Sequence, residues 1–216
     1  MKVAIVNNAG PAYTAMFKRK GWEVVDSIDE ADLVQFIGGA DVSPSYYGQH
    51  SHSLTHCDSK RDEIEKLMFL LALKLKKPMA GICRGGQFLN VMNGGSLWQD
   101  VRGHRGTHAA TYTDFKNKKE LMVTSTHHQM MIPPMRGNDA TVLMVAKLGK
   151  ARTKCAPLHQ NYRSITVSAS NVDTEAVYYE KNNCLCFQPH PEFEDKGKLS
   201  DLYFFYIDTL LMVEDD

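Results

Sequence analysis

The sequence lacks any excess of charge of one sign and any long apolar run. Its 216 residues include 25 basic and 25 acidic side chains, so the formal net charge at pH 7 is zero. Without a net field, the chain has no general attraction for nucleic acid or for an anionic membrane surface, and neither is expected as a partner. A membrane-spanning helix needs about 20 mostly apolar residues, and no stretch approaches that length.

The cysteines also lack the spacing that is typical of disulfide frameworks and of structural zinc sites. The chain has five cysteines, an odd number, and no C-x-x-C pair, so neither a disulfide framework nor a zinc ribbon is expected. The N-terminus has a short apolar run but no signal-peptide core or cleavage site. These features favour reduced thiols and a cytoplasmic protein. Cys184 and Cys186 alternate as two buried residues on one face of a strand would.

The first half of the chain alternates strand and helix patterns. Strands are predicted at "KVAIV", "WEVVDS", "DLVQFIGG" and "PMAGIC", with helices over residues 13–20, 61–77 and the "GGQFLNVMNGG" segment. In the helix over 61–77, apolar residues recur at 64, 67, 68, 71 and 75. A long loop rich in Gly, Ser and His covers residues 39–59. Such alternation predicts a parallel sheet covered on both faces.

The second half is predicted to be mostly strands. They are "LMVTST", "TVLMVAKLG", "SITVSAS", "EAVYYEK" and "CLCFQPHPE", and the amphipathic helix "DLYFFYIDTLLMV" closes the chain. No repeat, linker or domain boundary is evident. The prediction is one α/β domain over residues 1–216, with a mostly parallel central sheet flanked by helices and an added antiparallel region.

The pentapeptide Gly81-Ile82-Cys83-Arg84-Gly85 lies between a predicted strand and a predicted helix. It has the form of a nucleophile elbow, with cysteine in place of serine. Glycines allow a sharp turn, the helix N-terminus favours a thiolate, and the Arg84 amide can face an oxyanion. The alternative is a buried cysteine in a tight turn, because the motif is short.

A cysteine nucleophile needs a base, and the base needs an orienting partner. "FQPHPEF" offers His190 and Glu192, two residues apart on a segment that we expect to be extended. Residues i and i+2 of a strand project from the same face, so Glu192 could hold one imidazole nitrogen while the other faces Cys83. Pro191 disfavours helical backbone at His190.

With these motifs in view, most of the chain resembles a class I glutamine amidotransferase, and within that superfamily the γ-glutamyl hydrolase branch. The matching segments, in order, are "FIGGADVSPSYYG", "RDEIE", "GICRGGQFLNVMNGGSLWQDV", "STHHQMM" and "HPE". The resemblance implies a flavodoxin-like fold. One departure is Pro189, since the family usually has a bulky apolar residue before the histidine.

The resemblance also implies roles for individual residues. Cys83 would be the nucleophile, His190 the general base and acid, and Glu192 the residue that orients His190. The backbone amides of Gly39 and Arg84 would form the oxyanion hole. The residues that would bind the γ-glutamyl group are Gln87, His127, His128 and Gln129, although the two histidines could instead be a solvated loop pair.

The implied reaction is hydrolysis of the γ-amide of glutamine or of a γ-glutamyl conjugate through a γ-glutamyl thioester, with no cofactor or metal. The chain has no P-loop, so an alternative glutaminase subunit would deliver ammonia to a synthetase on another polypeptide. A third alternative is an inactive binding module. Homodimer formation is left open as well.

Other histidines and basic runs receive simpler interpretations. His50, His52 and His56, next to Cys57, are interpreted as a flexible polar loop rather than a metal site. "GHRGTH", which contains His104 and His108, is interpreted as a surface loop near the active-site rim. The basic run over residues 147–154 is interpreted as a solvated face, with partner docking as the alternative.

Overall fold

The computed structural model describes residues 1–7, 10–134, 140–147, 151–167, 172–193 and 197–212. The strands, in chain order, are β1 (Lys2–Val6), β2 (Glu23–Val25), β3 (Leu33–Phe36), β4 (Met79–Ile82), β5 (Ser96–Trp98), β6 (Asp100–Val101), β7 (Arg105–Thr113), β8 (Lys118–Thr126), β9 (Met130–Ile132), β10 (Ala140–Ala146), β11 (Arg152–Cys155), β12 (Ser164–Val167), β13 (Asp173–Tyr179) and β14 (Cys184–Phe187). The α-helices are α1 (Pro11–Arg19), α2 (Ser59–Lys74), α3 (Arg84–Met92) and α4 (Lys198–Tyr206).

The central part of the main sheet is parallel, in the order β2-β1-β3-β4-β14. Both β4 and β14 are buried along their whole length, as strands covered by helices on both faces must be. The carboxyl ends of β3, β4 and β14 lie side by side, and the segments that follow these three strands build the site. The predicted α/β fold with a mostly parallel core is confirmed.

An antiparallel extension continues the same sheet through β13, β10, β7 and β8. Strands β12, β11 and β6 form a second, three-stranded sheet. The predicted antiparallel region is therefore present, but β7 and β11 begin in segments whose local pattern indicated a surface loop and a solvated basic run. Residues 148–150 and 168–170, which belong to the predicted strands and that run, lie outside the described residues.

Helix α2 exists where predicted but faces the core with a different set of residues. It ends at Lys74 rather than 77, and Asp58 caps its start by accepting hydrogen bonds from the backbone amides of residues 60 and 61, each at 3.1 Å. Leu67, on the apolar stripe, is 62% exposed, whereas Phe69 is 2% exposed. The face toward the core also carries charged residues, because a buried arginine pairs with them, as described below.

The C-terminal segment packs an aromatic cluster against α1. Helix α4 is followed by a π-helical turn over Ile207–Leu211, and Phe204 packs edge-to-face on Phe17 with ring centroids 5.4 Å apart. Across the described ranges, the helices are too short or too polar for any of them to cross a bilayer.

Candidate active site

Cys83 occupies a sharp turn between β4 and α3. Its backbone has φ 52° and ψ −114°, a conformation that non-glycine residues rarely adopt. Two hydrogen bonds hold the turn: the Cys83 amide donates to the carbonyl oxygen of Phe187 at 2.8 Å, and the Gln87 amide donates to the Cys83 carbonyl oxygen at 3.0 Å. The elbow geometry that the sequence predicted is therefore present, and the thiol sits at the N-terminus of α3.

The glycines after Cys83 are required because backbones approach closely there. A Cβ atom on Gly85 would collide with the carbonyl group of Phe36 and lie 2.9 Å from the Ile37 nitrogen. A Cβ on Gly86 would lie 2.8 Å from the nitrogen of Phe187. Helix α3 can thus pack directly on β3 and β14, which fixes the direction in which the elbow points.

His190 is held by Glu192 on one side of its ring. The Nδ1 atom lies 2.6 Å from Oε1 of Glu192, and both side chains are almost fully buried. The contact was expected, but not its geometry: residues Pro191–Phe193 form a 3-10 turn rather than an extended strand. The Phe193 ring stacks on the imidazole with centroids 4.6 Å apart and an interplanar angle of 9°.

The other side of the His190 ring faces Cys83. Its Nε2 atom lies 2.9 Å from Oγ1 of Thr126, and His190 and Cys83 line the same cavity and interact electrostatically. Burial by itself lowers the pKa of His190, but its interactions with Cys83 and Glu192 outweigh burial and raise the pKa to about 10. These contacts favour the protonated form of the ring.

Cys83 and His190 open into a cavity of about 420 Å³. It is lined by Gly39, Ala40, Asp41, His56, Cys83, Arg84, Gln87, Thr126, His127, His128, Gln129 and His190. The structure thus brings together all the site residues named from the sequence except Glu192, which contacts the cavity through His190. The amide of Arg84 is at the first turn of α3, where helix N–H groups lack intrahelical partners.

The sequence that builds this site matches the model of a known family. Residues 2–192 match the model of the family described as Peptidase C26. The chain belongs to the Peptidase C26 family. The resemblance to class I glutamine amidotransferases is confirmed, and membership supports amidase-type hydrolase chemistry.

Curated relatives match this Peptidase C26 protein over part of their length. Protein NtpR from Enterococcus hirae is 36% identical over 111 residues, which are 49% of this chain and 43% of NtpR. A protein provisionally described as a glutamine amidotransferase-like YvdE homolog, from Lactococcus lactis subsp. cremoris, is 45% identical over 71 residues, 32% of this chain and 38% of that protein. The matched segments therefore span less than half the length of these relatives.

Solved structures share the fold at low sequence identity. A glutamine amidotransferase from Thermotoga maritima aligns with a TM-score of 0.55 and 17% identity, over 97% of this chain and 83% of that one. A chain of the PurLQS structure from Thermotoga maritima aligns with a TM-score of 0.58 and 16% identity, over 94% and 95% of the two chains.

The His-His-Gln segment of this family member is not a solvated loop pair. His127 is 5% exposed, and its Nδ1 atom lies 2.8 Å from the carbonyl oxygen of Gln129. His128 lies with its Nε2 atom 3.1 Å from Oδ2 of Asp41. Gln87 donates through Nε2 to the carbonyl oxygen of Gln129 and to Oε1 of Gln188, each at 3.0 Å. Gln87 and His127 thereby hold the cavity wall in place.

A buried charge network supports the elbow from behind. The Arg84 guanidinium forms ion pairs with Asp62 and Glu65 of α2, which explains why this helix buries two carboxylates. Arg61 binds Glu65 through Nε at 2.7 Å, and its Nη2 donates to the carbonyl oxygens of Ile37 and Gly38, each at 3.0 Å. The pKa of Arg84 falls to about 10, first through burial and then through the neighbouring Arg61.

Several residues at the site were not predicted from the sequence, among them Tyr13, Asp41 and Thr126. Tyr13 of α1 accepts a hydrogen bond from the Gly38 amide at 3.0 Å and interacts electrostatically with Glu192. Burial and the Glu192 charge raise the pKa of Tyr13 above its usual range. Asp41 and Thr126 line the cavity. Asp41 stands in the quoted "FIGGADVSPSYYG" segment, so it could have been found there, whereas Tyr13 has no local signal.

The buried side chain of Gln99 makes several of the contacts that hold the long loop over residues 39–59. The Gln99 Nε2 donates to the His50 carbonyl oxygen at 2.9 Å, and its Oε1 accepts from the His52 amide at 2.8 Å and from the Thr55 hydroxyl at 3.1 Å. The loop therefore has fixed internal contacts, and its His56 reaches the cavity.

The interpretation of His104 and His108 as a surface loop was wrong. His104 is 0% and His108 is 7% exposed. His104 lies 3.0 Å from Asp173, and His108 lies 2.8 Å from Glu175, both on β13. The sequence did not predict β7 because small and polar residues alternate along this strand. The buried His104 and His108 are paired with carboxylates that are distant in sequence. Arg152, in the run interpreted as solvated, is likewise buried and lies 2.7 Å from Asp173.

Proposed function

We propose that this Peptidase C26 protein is a cysteine-dependent amidase that hydrolyses the γ-amide of glutamine or of a γ-glutamyl conjugate. One observation carries the proposal. The Cys83 thiol, on a strained elbow, shares a cavity of about 420 Å³ with the imidazole of His190, whose Nδ1 atom is 2.6 Å from a buried carboxylate. Nucleophile, base and orienting residue are the parts that thiol acyl transfer needs.

Bond formation begins at the sulfur. The Cys83 thiolate attacks the γ-carbonyl carbon, and the carbonyl oxygen becomes an oxyanion. When the C–N bond breaks, the proton on Nε2 of His190 passes to the leaving nitrogen, and a γ-glutamyl thioester remains. Neutral His190 then takes a proton from water, the hydroxide attacks the thioester carbonyl, and the C–S bond breaks. Glutamate leaves, and the thiolate and imidazolium are restored.

Backbone amides are proposed to stabilise the oxyanion. Gly39 and Arg84 both line the cavity beside Cys83. Gly39 has φ 148°, a conformation that glycine tolerates, and Arg61 fills the position of its missing side chain. Two amides fixed by packing need no reorganisation when charge develops, and each such donor typically contributes about a hundred- to thousand-fold in rate.

The free amino acid end of the substrate needs charged partners. Asp41 is a carboxylate in the cavity wall, and it is held by His128 at 3.1 Å. We assign the substrate's α-ammonium group to Asp41 and the positioning of Asp41 to His128. Gln87, His127 and Gln129 shape the same wall through their mutual contacts. Asp41→Asn should therefore raise KM far more than it lowers kcat.

The first experiment measures glutamate release from glutamine and from a panel of γ-glutamyl amides by the chain alone. Cys83→Ala should abolish release, whereas Cys57→Ala, which removes an exposed thiol outside the cavity, should leave it unchanged. The preferred amide separates a glutaminase from a conjugate hydrolase. Release that persists in Cys83→Ala would refute the mechanism.

The second candidate is an ammonia-delivering subunit. The fold match to a protein described as a GMP synthase subunit, from Thermoplasma acidophilum, favours it: the TM-score is 0.61 at 18% identity, over 96% of this chain and 92% of that one. If this candidate is correct, Cys83 alkylates rapidly, but the chain alone releases no glutamate until a synthetase is added. A folded chain whose Cys83 resists alkylation would instead support an inactive binding module.

A further inference from the structure

A second cluster of titratable groups lies behind the His-His-Gln wall of the cavity. His104 precedes β7, His127 follows β8, and Glu175 lies in the middle of β13. Each offers one ligand atom, and these three atoms lie within 4.8 Å of one another. The exposed fractions of the three residues are 0%, 5% and 0%, so the cluster is almost fully buried.

The hydrogen-bond pattern of His104 leaves one ring nitrogen without a donor or acceptor of good geometry. Its Nε2 lies 3.0 Å from Oδ2 of Asp173, which assigns the Nε2 proton to that contact. Its Nδ1 is buried and, among the described residues, forms no hydrogen bond within normal limits; it faces Oε1 of Glu175 at 3.4 Å. A neutral His104 therefore directs a lone pair at a carboxylate, an arrangement that needs a cation between them.

A proton is one cation that can occupy this space. Two carboxylates lie beside the His104 ring, that of Asp173 3.0 Å from Nε2 and that of Glu175 3.4 Å from Nδ1. Both attract positive charge to the ring. A metal ion that binds there must displace this proton, so its affinity is expected to rise with pH.

His127 directs a second lone pair into the same space. Its Nδ1 donates to the carbonyl oxygen of Gln129 at 2.8 Å, so Nε2 is the unprotonated nitrogen. The nearby Ser125 hydroxyl lies 3.3 Å from this Nε2 and 3.2 Å from Nδ1 of His108, and one hydroxyl proton serves only one of them.

Glu175 supplies the negative charge. Its Oε1 accepts from Nε2 of His108 at 2.8 Å. Its Oε2 is buried and has no hydrogen-bond partner in the described part of the chain. An unpaired carboxylate oxygen in a dry interior is costly unless a cation compensates it.

We propose that His104, His127 and Glu175 form a binding site for a divalent transition metal ion, with Zn²⁺ as the best fit. Two imidazoles and a carboxylate are a ligand set that zinc uses, at bond lengths of about 2.0–2.2 Å. The 3.4 Å between Nδ1 of His104 and Oε1 of Glu175 equals one edge of such a tetrahedron. The ligand atom of His127 would move toward those of His104 and Glu175 when a metal binds, because the three atoms are now up to 4.8 Å apart.

The surroundings match what metal sites require of their outer contacts. A ligating histidine usually donates its other N–H to a carboxylate or a carbonyl group. His104 does so to Asp173, which Arg152 holds at 2.7 Å, and His127 does so to a backbone carbonyl. His108 fixes Glu175 from the side away from His104. Every proposed ligand is thus oriented before a metal arrives.

The proposed site has a structural consequence. It would tie β13 to the segments before β7 and after β8, and the latter carries His127, which lines the cavity. The metal would therefore stiffen the wall behind Cys83 without contacting the substrate. This role is independent of which amide the enzyme cleaves, and it is tested without an activity assay.

The test is metal binding by the full chain after chelator treatment, in wild type and in Cys83→Ala, which removes the reactive thiol as a competing ligand. Zn²⁺ titration should saturate at about one ion per chain and raise the melting temperature. Co²⁺ should give the visible d–d bands of a low-symmetry site without the near-ultraviolet charge-transfer band of thiolate ligation.

Matched variants identify the ligands. Glu175→Gln keeps the shape but removes the charge, and His127→Asn removes one nitrogen ligand; each should weaken Zn²⁺ binding about tenfold or more. His159→Asn, which removes an exposed histidine far along the chain, should bind as wild type does. The wild-type titration tests the proposed metal site even if a variant does not fold. A folded wild type with no stoichiometric uptake would overturn the proposal, and an imidazolium at His104 would then explain the contact with Glu175.

Discussion

The Nδ1 atom of His190 lies 2.6 Å from Oε1 of Glu192, and the two residues are joined by a single proline. The 3-10 turn that begins at Pro191 carries the carboxylate under the ring, and Phe193 stacks on the ring. Pro189 precedes the histidine. Phe193 provides an aromatic contact from the other end of the turn.

Glu192→Gln is expected to shift the alkaline limb of kcat/KM to lower pH by about one unit or more. The Glu192 carboxylate raises the pKa of His190, which is about 10, so removing its charge lowers that pKa. The imidazolium acid is then lost at a lower pH. The value of kcat should fall about a hundredfold. The measurement is a pH profile on the best γ-glutamyl amide, with the exposed Glu180→Gln as control; an unshifted limb would contradict the assignment.

Arg61→Lys is expected to lower kcat about ten- to a hundredfold while changing KM little, because small displacements of catalytic groups have effects of this size. Lysine keeps the charge but cannot bind Glu65 and the carbonyl oxygens of Ile37 and Gly38 together. The segment that carries the proposed oxyanion-hole amide of Gly39 then loses the hydrogen bonds that hold it. Steady-state kinetics should separate kcat from KM, and Lys60→Met, on the exposed side of α2, serves as control. Equal kcat values in the two variants would refute this positioning role.

Gly85→Ala is expected to destabilise the protein by about 3 kcal/mol or more, at the upper end of overpacking effects. The added methyl group would meet the backbone of Phe36 and Ile37, which cannot rotate away as a side chain could. Gly10→Ala is the matched control, because a Cβ there would have no atom of the described residues within 4 Å. Urea unfolding monitored by circular dichroism gives both values, and similar midpoints for the two variants would show that the packing is looser than described.

Leu67→Gln is expected to change the free energy of unfolding by no more than about 0.5 kcal/mol, whereas Phe69→Ala should cost about 3–5 kcal/mol. Leu67 lies on the apolar stripe of α2 but is 62% exposed, and Phe69 is 2% exposed. Urea unfolding of each variant measures the difference. A large loss at Leu67 would mean that another surface covers this face of α2 in solution.

Local pattern was sufficient for the first half of the fold and for the residues of the elbow. The strands that became β1, β3 and β4 are short apolar runs ended by turns, and Gly81, Cys83 and Gly85 are adjacent in the chain, so their constraint is visible in the sequence. The antiparallel half was predicted less well. Strand β7 alternates small and polar residues, and its pairing partners β8 and β10 satisfy its backbone through contacts that no local window contains.

What the sequence by itself determined is the chemistry that adjacent residues can express: an elbow cysteine, a His-Pro-Glu turn, and the alternation that makes a parallel sheet. Tertiary structure alone decided which polar groups are buried together. Asp62 and Glu65 face inward because Arg84 meets them there, and His104 is buried because Asp173, 69 positions later, accepts its proton. Burial of a polar group is favourable only when its partner is in place, and for these residues the partner is brought by the fold rather than by the neighbouring sequence.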